Sequence, residues 1–254
     1  MDGIPATYLG PSEFDNDYMK VSSLLARTGL ATDYSYVLYE RGQRVRAASG
    51  AQVLATLVHP YFDRTWNAYC SHRQTPPDPA TDKGEPLAIR AGRVIYIANP
   101  LFRAYRKHGY RAYKQLIAGC LNLLLPEPML VSNMPSTAEL TLLEQGSRQI
   151  VHMLHYVPQR RAAVDIVEDV IPLYEVEISV RAPKAATHES DGSNGLPGDA
   201  NAELDASPAC AERHGPKRVY LVPGGEELPF LWDPPYVRFT VPKVEGHQMA
   251  AVEW

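Results

Sequence analysis

From Leu101 to Leu125 the chain carries a helical stripe, and at Pro126-Glu127-Pro128 that stripe is cut. Tyr113, Leu116, Ile117, Cys120, Leu121 and Leu124 recur at helical spacing, opposed by Arg103, Arg106, Lys107, Arg111 and Lys114. Proline supplies no helical donor and disfavours helical geometry in the residue before it, so the helix ends there. Beyond Leu130 the period falls to two, in short runs over 138–143, 149–157, 173–181, 218–222, 236–241 and 248–252. Runs of this kind separated by Pro and Gly turns predict a β-sandwich. The sequence therefore predicts an α+β chain in two parts, 1–129 and 130–254.

The first part is sparser in signal. Asp15 or Asn16 as a cap, with Tyr18, Val21, Leu24 and Leu25 on one side and Gly29 as a stop, predicts a short helix over 15–29. Strands are expected at 36–40 and 51–58, and a hairpin turning at Ala91-Gly92 joins 87–90 to 93–98. Residues 184–216 are poor in large apolar side chains and cannot offset their ordering entropy, so a mobile insertion is expected there.

The 254 residues, 45% hydrophobic and 21% charged, are enough to bury a real core. A formal charge of −4, with no basic stripe, argues against nucleic acid as a partner. Cys70, Cys120 and Cys210 are widely spaced, which argues against a disulfide framework or zinc site and makes a reducing cytosol the expected compartment. Cys120, on the apolar stripe, reads as a buried thiol. Neither an export signal nor a run of eighteen apolar residues is visible, so no membrane association is expected.

One stretch fits no core element. Residues 59–76 gather Tyr61, Phe62, Trp66, Tyr69, His59, His72, Arg64 and Arg73 with neither period, and end in prolines. Such a loop either plugs a small core or makes contacts, because flat rings cover sugar faces and guanidinium forks bind hydroxyls or carboxylates. Tyr61, Phe62, Arg64, Trp66, His72 and Arg73 are the candidate substrate-binding or interface residues.

Catalytic arrangements fare worse. Glycoside hydrolysis needs two carboxylates facing each other across a sugar. Asp165, Glu168 and Asp169 are the densest acidic group, in a stretch that reads as a turn into a strand. His152 and His155, three apart on a strand, point to opposite faces and cannot share an ion, so no metal site is expected. Ser71-His72 has no nucleophile elbow around it. No glycine-rich phosphate loop is present, and no cofactor is expected.

In order, Val53-Leu54-Ala55, Pro60-Tyr61-Phe62-Asp63-Arg64-Thr65-Trp66, Ser71-His72-Arg73-Gln74-Thr75-Pro76, Val94-Ile95-Tyr96 and Pro100-Leu101-Phe102 resemble the tail of the β-galactosidase trimerisation-like domain. That module follows the catalytic barrel in glycoside hydrolases similar to family 42, to family 151 α-L-fucosidases and to related hypothetical glycosyl hydrolases. His152-Met-Leu-His-Tyr156, Ile166-Val-Glu-Asp-Val170, Pro172-Leu-Tyr174 and Gly246-His247 resemble the β-sandwich that closes those proteins. The resemblance covers about 15–182 and 217–254. It implies a partial flavodoxin-like α/β layer followed by an antiparallel sandwich. A barrel takes about 250 residues, so the family's catalytic residues find no position here.

The expected role is accessory: a region of a carbohydrate-active enzyme that supports homo-oligomer assembly and lines a sugar-binding cleft with the aromatic loop. Two alternatives stay open. One is a small glycoside hydrolase using Asp165, Glu168 or Asp169. The other is a free-standing carbohydrate-binding module that stacks a sugar on Trp232, flanked by Phe230 and Pro234-Pro235.

Overall fold

The computed structural model describes residues 3–161, 163–183 and 215–254, which divide into two compact units within Met1–Pro126 and Glu127–Trp254. The expected insertion over 184–216 falls almost wholly outside the described residues.

The first unit opens with β1 (Ala6–Pro11) and β2 (Tyr18–Val21), followed by a 3-10 turn over Ser23–Thr28. The helix expected over 15–29 does not form. Tyr18 to Val21 pair instead with Ala55 to Val58, and four residues are too few for helical and strand periods to be told apart. β3 (Tyr36–Val37), β4 (Gln43–Ala47), β5 (Gln52–Val58), β6 (Glu85–Ala91) and β7 (Val94–Ile97) complete the strands. A five-stranded sheet runs β3-β2-β5-β6-β7, and β1 pairs separately with β4. Every pairing is antiparallel. The α+β class holds, but the flavodoxin-like order, with its parallel strands, does not appear in this sheet: hairpins and loops, rather than crossover helices, join its strands.

Two helices cover one face of the sheet. The stripe read as one helix is broken into α1 (Leu101–His108) and α2 (Arg111–Leu124) by Gly109, whose φ of 61° ends α1 in the left-handed region. Leu101, Ala104, Tyr113, Leu116 and Cys120 pack on Met19, Leu54, Leu57 and Leu87. Burial pushes the Cys120 thiol up to about 11, which keeps it protonated and inert. Gly119 lets α2 approach the 3-10 turn closely, since a Cβ there would sit 2.5 Å from Thr28 Cγ2 and 2.8 Å from Leu25 Cδ2. β4 closes the opposite face, with Val45 against Ile89 and Ala98.

The second unit is the expected β-sandwich. β8 (Leu130–Ser132), β9 (Ala138–Gln145), β10 (Arg148–His155), β11 (Leu173–Arg181), β12 (Arg218–Val222), β13 (Phe230–Asp233), β14 (Tyr236–Val244) and β15 (Gly246–Glu253) form two four-stranded sheets. Their orders are β12-β15-β10-β9 and β13-β14-β11-β8. Alternation writes the core: Val151 and Met153, then Val176, Ile178 and Val180, then Val237, Phe239 and Val241 all point inward.

His155 shares the inward parity of Val151 and Met153 and is buried. Its ring is satisfied by Thr137 Oγ1 and the Ile171 carbonyl, both at 3.1 Å, so it is a core histidine. Trp232 packs on the sandwich core with its ring 5.7 Å from that of Trp254. That leaves it a core edge rather than a free stacking platform.

Candidate functional site

β5 hands the chain to the aromatic loop, and the loop is closed at its neck. Pro60 bridges Pro77, Tyr61 N–H donates to the Pro76 carbonyl at 3.2 Å, and Asp78 N–H donates to that of His59 at 2.8 Å. Tyr18 Oη reaches from β2 to the Thr75 carbonyl at 2.5 Å, and Thr75 Oγ1 donates to the Phe62 carbonyl. Asp63 accepts the Asp15 amide at 3.1 Å.

Farther out, the loop binds itself. Thr65 N–H donates to the Ala68 carbonyl at 2.9 Å, and Arg64 Nη1 donates to that of His72 at 3.0 Å. The same guanidinium stands 4.8 Å over the Tyr69 ring, a cation–π contact. Polar groups are thus spent inside the loop while rings are left outside. Trp66 is 99% exposed, Tyr69 68% and Tyr61 57%.

The structure divides the candidate residues. Phe62, Arg64 and Arg73 line one hollow of about 100 Å³ with Asp15, Asp63 and Thr75. Tyr61, Trp66 and His72 stand outside it. A ligand pocket usually holds about 300 Å³ or more, so this hollow alone does not enclose a sugar.

Beneath the neck runs a polar chain that the sequence does not disclose. Ser12 Oγ donates to Asp17 Oδ2, and Asp17 Oδ1 lies 2.7 Å from His59 Nδ1. His59 Nε2 lies 3.3 Å from Glu85 Oε2, Glu85 Oε1 accepts from Arg44 Nε at 2.9 Å, and Arg44 Nη1 donates to Glu13 at 2.8 Å. Ser12, Glu13 and Asp17 come from the link between β1 and β2, Arg44 from β4, His59 from just after β5 and Glu85 from the start of β6, and these groups are too far apart in sequence for any spacing rule to join them. Burial pushes the Asp17 carboxyl up, while its bonds to Ser12 and His59 pull the other way. Ser12, Asp17 and His59 do not make a hydrolytic triad, because the serine is buried and donates to the aspartate instead of the histidine. The chain fastens the loop.

A second convergence takes up much of the basic face of α1. Arg103, Lys107 and His108 all reach the buried carboxylate of Glu40, at 2.8, 2.6 and 2.9 Å. Lys107 and then His108, with Arg103 adding, hold the Glu40 carboxyl down at about 2.

The proposed acid and base do not assemble. Asp165, Glu168 and Asp169 lie exposed on the stretch between β10 and β11, and Glu168 is bound to Arg161 at 2.5 Å. Ser71 and His72 are both exposed on the loop.

No protein-family model matches the chain, and no curated protein does. Among solved structures, α-L-fucosidase isoenzyme 2 from Paenibacillus thiaminolyticus superposes with a TM-score of 0.79 at 30% identity over 98% of this chain. The chain spans 33% of the length of that fucosidase. A β-galactosidase from Bacillus circulans sp. alkalophilus (TM-score 0.43, 14% identity, 97% of this chain and 23% of that one) is much more loosely similar. So is the GH42 β-galactosidase Gan42B from G. stearothermophilus (TM-score 0.42, 10% identity, 99% and 23%), and neither adds to the argument. The fold is that of part of a glycoside hydrolase, as the sequence resemblance implies.

Proposed function

We propose that the chain acts as a non-catalytic accessory region of a carbohydrate-active glycoside hydrolase, with the aromatic loop making contact between copies of the chain. The observation that carries this reading is Trp66, an almost fully exposed indole on a loop whose neck and interior are already hydrogen-bonded. Tryptophan and arginine dominate the buried centres of protein interfaces, and a rigid loop loses little entropy on docking. Burying Trp66 in a partner pocket contributes about 2–4 kcal/mol to association.

The partial match to an α-L-fucosidase supports fucosides as the substrate class of the complete enzyme. Cys70 and Cys120 are free thiols, in keeping with a reducing cytosol. Assay of this chain alone with chromogenic fucosides and galactosides tests the accessory role: no turnover is expected, and turnover abolished by substitution of Asp165, Glu168 or Asp169 refutes it.

A second reading rests on the hollow at Phe62, Arg64 and Arg73. There the loop forms one wall of a sugar cleft whose other wall comes from a second surface. On this reading the exposed rings of Tyr61 and Trp66, on the same loop, cover the sugar. Tryptophan fluorescence titrated with L-fucose distinguishes the two, since a subunit contact alone leaves the emission unchanged.

A further inference from the structure

The outer face of the β9-β10-β15 sheet brings together two histidines that are 95 residues apart in sequence. Register explains it. Leu154 of β10 lies opposite His247 of β15, and Met249 lies opposite His152, so the two imidazoles are diagonal neighbours on the solvent side. His152 Nδ1 and His247 Nε2 lie 3.3 Å apart, and the ring planes are inclined by only 15°.

That spacing is long for a hydrogen bond to nitrogen and matches a chelate. Two imidazole nitrogens bound to one tetrahedral zinc at about 2.05 Å each stand about 3.3 Å from one another. The pair opens on a hollow of about 220 Å³ lined also by Glu139, Thr141, Leu143 and Leu154. Glu139 lies opposite Leu154 on the β9 side, so it brings negative charge to the same row.

We propose that His152 and His247 form a solvent-open site for a divalent transition-metal ion, with Glu139 supplying electrostatic attraction from across the hollow. Among the described residues no third histidine, cysteine, aspartate or glutamate groups with the pair as a ligand set. Water fills the remaining positions of the coordination sphere, which makes the site an open one rather than a closed structural one. Imidazole donors select Zn²⁺, Ni²⁺ or Cu²⁺ over Mg²⁺ and Ca²⁺, which demand oxygen ligands. Binding asks His152 to carry its proton on Nε2 and His247 on Nδ1, so acid competes with the metal. A bound ion ties β10 to β15 in the folded state only.

Untagged protein titrated calorimetrically with Zn²⁺ at neutral pH tests this. Zinc avoids the oxidation that Cu²⁺ would bring to the half-exposed thiol of Cys70. The expected result is binding of one ion per chain with a rise in melting temperature. His152→Ala and His247→Ala, on exposed strand faces, should each weaken binding by at least about tenfold, the least that losing even an outer-shell partner costs, and should abolish the thermal shift. Zinc affinity that is unchanged in either variant overturns the proposal, as does the absence of binding to the unsubstituted chain or equal binding of Mg²⁺.

Discussion

His59 Nδ1 lies 2.7 Å from Oδ1 of Asp17, and this contact fastens the first residue of the aromatic loop to the residue just before β2. Asp17 is only 2% exposed and Glu85 holds the other ring nitrogen, so the loop stands on a largely enclosed polar footing. A contact surface made of exposed rings needs such a base, because rings on a floppy loop lose too much entropy on docking.

Replacing His59 with alanine removes the partner of a buried carboxylate, which costs about 2–3 kcal/mol. Urea denaturation should show that loss, and amide exchange across 59–78 should speed up more than exchange in the sandwich. A change in stability below about 0.5 kcal/mol, with exchange unaltered, contradicts the footing role.

Glu40 gives a pH signature. Its folded carboxyl is held near 2, below the ordinary carboxylate value of 4.5, so its contribution is fully present above about pH 4.5 and is lost as pH falls toward 2. Glu40→Gln should destabilise the first unit by about 1–2 kcal/mol at neutral pH, a modest figure because Arg103 and Lys107 are well exposed. Denaturation curves of the variant and the unsubstituted chain should converge near pH 2. Asp17 works in the opposite sense: its raised folded value favours the folded state as protons are added. A Glu40→Gln deficit that persists undiminished at low pH speaks against the ion cluster.

Gly119→Val should cost about 2–3 kcal/mol, because its added carbons meet Thr28 and Leu25 where α2 packs on the 3-10 turn. Helix propensity changes little by comparison, since valine gains only a few tenths of a kcal/mol over glycine within a helix. Thermal unfolding of the variant checks it, and a stability equal to the parent's shows that α2 can move away freely.

Local signals were legible and long-range ones were not. Alternation at Val176, Ile178 and Val180, and the stripe at Tyr113, Leu116 and Cys120, gave the right buried faces because each is written within one element. Gly109, just after Arg106-Lys107-His108, is an ordinary helix stop, but the apolar stripe beyond it masked the break. β1, β4, β8 and β13 are edge or short strands whose stability comes from their partners, so their own residues signal little. The Asp17–His59–Glu85 chain and the His152–His247 pair depend on strand register, which no spacing along the sequence reveals. The aromatic loop was visible from composition alone, while the hydrogen bonds that leave Trp66 outward were not.

The account depends most on Trp66 as a contact between chains. Sedimentation velocity over a range of concentrations measures this directly, on the full chain and on Trp66→Ala. The account predicts that the unsubstituted chain self-associates and that the variant shifts toward monomer, with association weakened by at least tenfold, the equivalent of about 1.4 kcal/mol. Identical sedimentation profiles for the two proteins, or a parent chain that stays monomeric throughout, contradict it.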